Sequence, residues 1–261
     1  MAVIGAVLGD IAGSQFEFNR PENLDYKHCE LFTSRCSYTD DTIMTLAVKK
    51  AILENADFTK TMREIGQPYP YSGYGGRFYE WMYGENPKPY NSFGNGSAMR
   101  VSFVGEHFDA LEDVISMAEK SAEVTHNHPE GIKGAVVTAV CIWMARHGKT
   151  KEDIFQYVLE QYPAEKYEFS IAVPLDELEK IYQWNETCMG SVLAAMCCFY
   201  ESDSYESFLR NVFRLKCDSD TLAAIGGAVA EEYYGWTGFY NEDELLKKYL
   251  DANLYNLVKL L

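Results

Sequence analysis

Residues 2–17 read Ala2-Val3-Ile4-Gly5-Ala6-Val7-Leu8-Gly9-Asp10-Ile11-Ala12-Gly13-Ser14-Gln15-Phe16-Glu17, and two periodicities run through them. Val3, Ile4, Val7, Leu8 and Ile11 follow the i, i+3, i+4 spacing of one helix face. Gly5, Gly9 and Gly13 form a second stripe at spacing four. Glycine weakens a helix by about 1 kcal/mol per site relative to alanine, so three in register imply that another backbone passes close by. The helical period returns at 41–53, 110–125, 132–147, 151–161, 174–182, 188–201, 204–214, 221–234 and 242–251. Two-residue alternation is nearly absent. The expected fold is all-α, a compact orthogonal bundle of about ten or more helices.

The period breaks between Gly66 and Arg100. Pro68, Pro70, Pro87 and Pro89, seven glycines and many tyrosines fall there, which predicts loops and short helices. Irregular stretches of this length inside a domain usually carry function.

The chain has 261 residues, 47% of them hydrophobic and 24% charged. No linker, low-complexity tract or fixed repeat divides it, so a single domain over 1–261 is expected, and a monomer. Asp and Glu outnumber Lys and Arg 39 to 23, a formal net charge of −16. That balance disfavours duplex nucleic acid and anionic membranes as partners. A bound phosphate would have to be met by helix N-termini, backbone N–H groups or metals. The seven cysteines are odd in number and include no CxxC pair, as expected of reduced thiols in a cytoplasmic protein. No apolar run is long enough for a membrane span, and the first residues lack the basic flank of a signal peptide.

Two short clusters carry the chemistry. Thr39-Asp40-Asp41-Thr42 precedes one apolar helix and Asp218-Ser219-Asp220-Thr221 precedes another. Either alone reads as a helix cap. On a helix, two acids two residues apart diverge by about 200°, so Asp218 and Asp220 can face one centre only by straddling the turn into the helix. If the clusters converge, four carboxylates share a small space and need cations to neutralise them. An all-oxygen donor set suits Mg²⁺ or Mn²⁺ over Zn²⁺.

Three further features are weaker. Glu17 stands just past the first helix, and Asp10 interrupts that helix's apolar face, which suggests a structural hydrogen bond. Gly94-Asn95-Gly96-Ser97-Ala98-Met99-Arg100 leaves backbone N–H groups open to a ligand, with Ser97 placed to cap a following helix. Thr125-His126-Asn127-His128-Pro129 enters another helix, and with no partner set for a metal, His126 or His128 is expected to hydrogen-bond or stack.

In this order the segments resemble the ADP-ribosylglycohydrolase family, which includes the dinitrogenase reductase-activating glycohydrolases. The pattern GDxxGxxxE, TDDT, GNG(S/A)xMR, TH-x-HP and DxDT runs here from residue 9 to residue 221. The resemblance implies a compact all-α fold holding two divalent cations, Mg²⁺ or sometimes Mn²⁺. It implies Thr39, Asp40, Asp41, Asp218, Asp220 and Thr221 as ligands, with Glu17, Asp41 and Asp218 as catalytic residues. Gly94, Asn95, Gly96, Ser97 and Met99 would hold the diphosphate and distal ribose, with His126 flanking them. The implied reaction is hydrolysis at C1″ of ADP-ribose attached to protein arginine or serine. Conjugates with small molecules or nucleic acid are the alternative substrates, and an inactive ADP-ribose-binding relative is the alternative of another class. Intact acids at every matched position argue against inactivity. Cys217 and the pair Glu231-Glu232 depart from the pattern and are expected to reshape the pocket wall.

Overall fold

The computed structural model describes residues 2–261. Its helices in chain order are α1 (Ala2–Ser14), α2 (Asp40–Leu53), α3 (Phe58–Gly66), α4 (Gly76–Tyr83), α5 (Gly96–Met99), α6 (Ser102–His107), α7 (Leu111–Glu123) and α8 (Pro129–Arg146). There follow α9 (Lys151–Gln161), a 3₁₀ turn at Ala164–Lys166, α10 (Leu175–Ile181), α11 (Cys188–Tyr200), α12 (Tyr205–Arg214), α13 (Ser219–Tyr234), α14 (Glu242–Tyr249) and α15 (Ala252–Lys259). Among the described residues the only β pairing is an isolated bridge between Gly94 and Thr187. The fold is all-α, and among the described residues no helix is long and apolar enough to cross a membrane.

The glycine stripe of α1 explains its central position. A Cβ added at Gly5 would lie 2.4 Å from the Gly227 carbonyl oxygen. At Gly9 it would lie 2.2 Å from that of Ala223, and at Gly13 2.4 Å from that of Ser219. As the α1 number rises by four, the α13 number falls by four, so the helices run antiparallel with their backbones in contact. Both are buried on nearly every face: from Ala2 to Gly13 only Ile4 is partly exposed, and Ser219–Glu231 is buried throughout. A helix that is apolar all round belongs in the middle of a protein. The Tyr205 hydroxyl reinforces the pair by donating to the Gly5 carbonyl at 2.6 Å.

Several helix starts are set by side chains. Thr150 and Ser204 form capping boxes on α9 and α12, and Asp57 caps α3. His128 accepts from the Glu130 N–H at 3.1 Å and Pro129 occupies the first position of α8. That cap starts α8 at residue 129 rather than 132, because proline there removes an N–H that would have no helical partner. The helix expected over 242–251 is α14, which ends at Tyr249; a further helix not expected, α15, follows, its start set by Asp251, which accepts from the N–H groups of Asn253 and Leu254. All seven cysteines are unpaired, six of them buried.

Gly9→Ala would force the α1 and α13 backbones apart. The expected outcome is a net stability loss of at least about 1 kcal/mol, the overpacking cost exceeding the helix propensity gained. Gly76→Ala in α4, where a Cβ meets nothing within 4 Å, should be neutral or slightly stabilising. Urea midpoints at constant m-value test both.

Candidate metal centre and the cleft beside it

Asp10 lies buried on α1 and organises the start of α2. One carboxylate oxygen accepts from the N–H groups of Thr39 at 2.9 Å and Thr42 at 3.0 Å and from the Thr42 hydroxyl at 2.5 Å. The other oxygen lies 2.9 Å from the Thr39 hydroxyl. Thr39 caps α2, accepting from the Asp41 N–H at 3.2 Å, which puts Asp40 and Asp41 in the first turn. Asp41 turns inward, its Oδ2 3.2 Å from the Thr221 hydroxyl of α13. The two Asp/Thr clusters, 180 residues apart in sequence, therefore touch.

On the other side, Asp218 is the N-cap residue of α13 and Asp220 is in its first turn. The acids straddle the turn into the helix. Ser219 between them points back to α1, donating to the Gly13 carbonyl at 2.8 Å. Glu17 follows α1 by three residues, and its loop is anchored by buried Phe16, edge-on to Phe213 at 4.9 Å. Glu17, Asp218 and Asp220 each offer an oxygen, and these lie within 4.8 Å of one another. Asp40 joins them in the cleft wall, beside Gly73.

Crowding these carboxyls out of water disfavours their charge. Burial, then the neighbouring acids, raises Asp41 and Asp220 well above the usual carboxylate range, and raises Asp40 in the same way. Burial raises Asp10 to about 6 against the lowering effect of its hydrogen bonds, and burial with Asp218 beside it raises Glu17 to about 7. Burial also raises Asp218, against hydrogen bonds to Asp220 and Asn95. Buried Asp41 Oδ1 has no hydrogen-bond partner among the described residues. An orphaned carboxylate oxygen among hard-oxygen donors fits a divalent cation of the Mg²⁺ or Mn²⁺ type.

A cleft of about 390 Å³ opens from these acids. Of the other residues expected at the site, Gly94, Asn95, Gly96, Met99 and His126 line it. Asn95 is turned toward the acids, its amide donating to Asp218 Oδ2 at 2.7 Å and to Ser191 at 3.0 Å. Ser97 is a correction. Asn95 occupies the N-cap position of α5, so Ser97 neither caps a helix nor faces the cleft; it is buried and donates to the Gly131 carbonyl at 2.7 Å. His126 is buried and held neutral, its basicity lowered by burial and by Arg100 and Arg77. The Thr125 hydroxyl accepts from Arg100 at 2.9 Å and lies 2.7 Å from His126 Nδ1. The other ring nitrogen, Nε2, lies beside Gly96 and Gly94. His128 serves as the α8 cap.

Sequence reasoning missed the cleft's positive wall. Arg77 lies 4.7 Å over the Tyr90 ring, and both line the cleft. Arg100 lines it too; it is wholly buried, and its Nε and Nη1 have no partner among the described residues. Arg100 ends the Gly94–Arg100 motif and could have been flagged there, whereas Arg77 carries no local signal. Glu186, also missed, accepts at its backbone carbonyl from the Asn95 N–H at 2.8 Å. Glu231 and Glu232 do not shape the cleft. They grip the start of α1, accepting from the Gly5 and Ala2 N–H groups at 2.5 and 2.8 Å. Cys217 is buried, and its thiol donates to the Val212 carbonyl at 3.6 Å.

The family model described as ADP-ribosylglycohydrolase matches residues 1–256. The chain is 27% identical to "ADP-ribosylhydrolase ARH3" of Homo sapiens, over 88% of this chain and 84% of that one. It is 23% identical to "Putative ADP-ribosyl glycohydrolase L543" of Acanthamoeba polyphaga mimivirus, over 71% and 67%. A solved structure titled "ADP-ribosylglycohydrolase-related protein complex" superposes with a TM-score of 0.72 at 22% identity, covering 98% of this chain and 93% of that one. That likeness speaks for the fold.

The raised carboxyls give a signed pH dependence. In chelator, protons bind the folded state more tightly than the unfolded one. Stability is therefore fullest below the ordinary values of 3.8 and 4.5 and falls as pH rises through about 6 and 7. Mg²⁺ replaces those protons, so the gain in Tm on adding it should be larger at pH 7.5 than at pH 5. An equal or smaller gain at pH 7.5 contradicts a cation site among these acids.

Proposed function

The chain belongs to the ADP-ribosylglycohydrolase family, and on that premise we propose that it hydrolyses the N- or O-glycosidic bond at C1″ of ADP-ribose carried on a protein arginine or serine. The supporting observation is the polarity of the cleft. Buried carboxylates stand at one end, and Arg77, Arg100 and neutral His126 line the wall beyond Gly94–Gly96. A mono-ADP-ribosyl group has the matching order, with ribose hydroxyls next to the bond to be broken and then a diphosphate.

Thr39, Asp40, Asp41, Asp218, Asp220 and Thr221 are the proposed ligands of two divalent cations, Mg²⁺ or Mn²⁺. Once bound, the cations supply Lewis acidity toward the ribose hydroxyls and toward water. Glu17, which holds a proton near neutral pH in the bare acid cluster, is the proposed group that moves a proton at C1″. Asp10 and Asn95 act as positioning residues, the first by fixing the start of α2 and the second by holding Asp218. His126 and the Arg77 guanidinium line the wall proposed to meet the anionic part of the ligand, with the charge of buried Arg100 close by. Tyr90 and Phe78 offer flat apolar faces beside the arginines for the base. Binding thus relies on local groups, since the long-range field of this acidic chain repels anions.

The test is release of free ADP-ribose from mono-ADP-ribosylated arginine and serine peptides with Mg²⁺ or Mn²⁺ present. Asp41→Ala and Asp218→Ala should each lower kcat/KM at least about a hundredfold, and excess chelator should abolish release. Full activity in chelator, or in both variants, overturns the reading.

A further inference from the structure

Glu17 sits between two aromatic residues with opposite surroundings. Phe16 is in the core, whereas Phe18 is 76% exposed. The Phe18 ring stacks on Trp184 at 5.7 Å with 27° between the planes, and Trp184 is itself 40% exposed. The Trp184 indole N–H donates to Glu186 Oε1 at 2.9 Å, which ties an exposed carboxylate to the stack. Two large rings are thus stacked outside the core, offering a flat aromatic face. Phe18 and Glu186 line the cleft, and a second pocket of about 360 Å³ shares Glu17 and Phe18 with it and has Trp184 in its wall. The two spaces share Glu17 and Phe18 in their walls, which places the stack beside the carboxylate end. The pocket's Arg20 is engaged elsewhere, donating to the carbonyls of Pro21, Phe213 and Arg214 at 3.3, 3.2 and 3.1 Å.

We infer that Phe18, Trp184 and Glu186 form the subsite for the leaving group and that it suits a planar cation, the guanidinium of an ADP-ribosylated arginine. The inference rests on the proposed function, since it takes C1″ to lie at the carboxylates with the diphosphate toward Arg77 and Arg100. The released group then projects past Glu17. A glycosylated guanidinium keeps its positive charge. Its flat face stacks on an aromatic ring, and its remaining N–H donors match a carboxylate. A serine side chain presents neither a plane nor a charge to the stack. In the hydrolysis the C1″–N bond breaks, the oxygen of water bonds to C1″, and the departing nitrogen takes up a proton. The products are ADP-ribose and the intact arginine.

The experiment compares kcat/KM on arginine-linked and serine-linked ADP-ribosyl peptides of otherwise equal sequence. It uses the full chain, Trp184→Ala, Trp184→Phe and Glu186→Gln. The unaltered chain should prefer the arginine peptide. Trp184→Ala and Glu186→Gln should each lower the arginine-to-serine ratio at least about fivefold, with Trp184→Phe recovering most of it. A loss of folded protein scales both rates alike and leaves the ratio unmoved. An unchanged ratio in both variants overturns the subsite while the proposed function stands, and a preference for serine overturns the cationic leaving group. Cleavage of neither peptide overturns the proposed function and the subsite with it.

Discussion

The antiparallel contact between α1 and α13 is the constraint on which the rest of the molecule depends. Gly5, Gly9 and Gly13 let the two backbones approach so closely that a single Cβ would collide with a carbonyl oxygen. This registers the end of α1 against the start of α13. Glu17 emerges at that end, and Asp218 and Asp220 flank the turn at that start, so the packing of two apolar helices gathers three acids. Asp10, on the same α1, reaches across to the first turn of α2 and brings Asp40 and Asp41 to the same place. The site is thus a consequence of how the core packs.

Such a gathering is costly without counter-charge. The acids lie out of water and next to one another, and each is raised relative to an ordinary carboxyl. Among the described residues no lysine or arginine forms an ion pair with them; the ion pairs lie nearly all at the surface. Two states relieve the strain: protonation, or occupation by hard cations. The arginines that line the same cleft act instead on His126, which burial and the charges of Arg100 and Arg77 hold neutral.

Much of this was legible in the chain itself. The glycine spacing announced a backbone contact, the helical periods announced the all-α class, and the straddling geometry of Asp218 and Asp220 followed from helix pitch alone. What was not legible depends on contacts between distant segments. Asn95 looks like part of an open glycine loop, but α11's Ser191 and α13's Asp218 claim its amide. Ser97 looks like a ligand donor, yet one turn of α5 rotates it into the core. Arg77 has no motif; it stands in the first turn of α4, and its guanidinium lines the cleft over the Tyr90 ring. The α3 and α15 helices escaped because each is short, and their start signals, Asp57 and Asp251, are single residues. The nature of the substrate lay in no single residue, only in the ordered set of motifs that the family shares.

The central claim is that the oxygens of α2 and α13 meet in order to hold cations. Anomalous diffraction from crystals soaked in Mn²⁺ tests it most directly. The account predicts two peaks roughly 3.5–4 Å apart, bounded by Asp40, Asp41, Asp218 and Asp220. Peaks confined to other surfaces, or none at these four aspartates at saturating Mn²⁺, would contradict it.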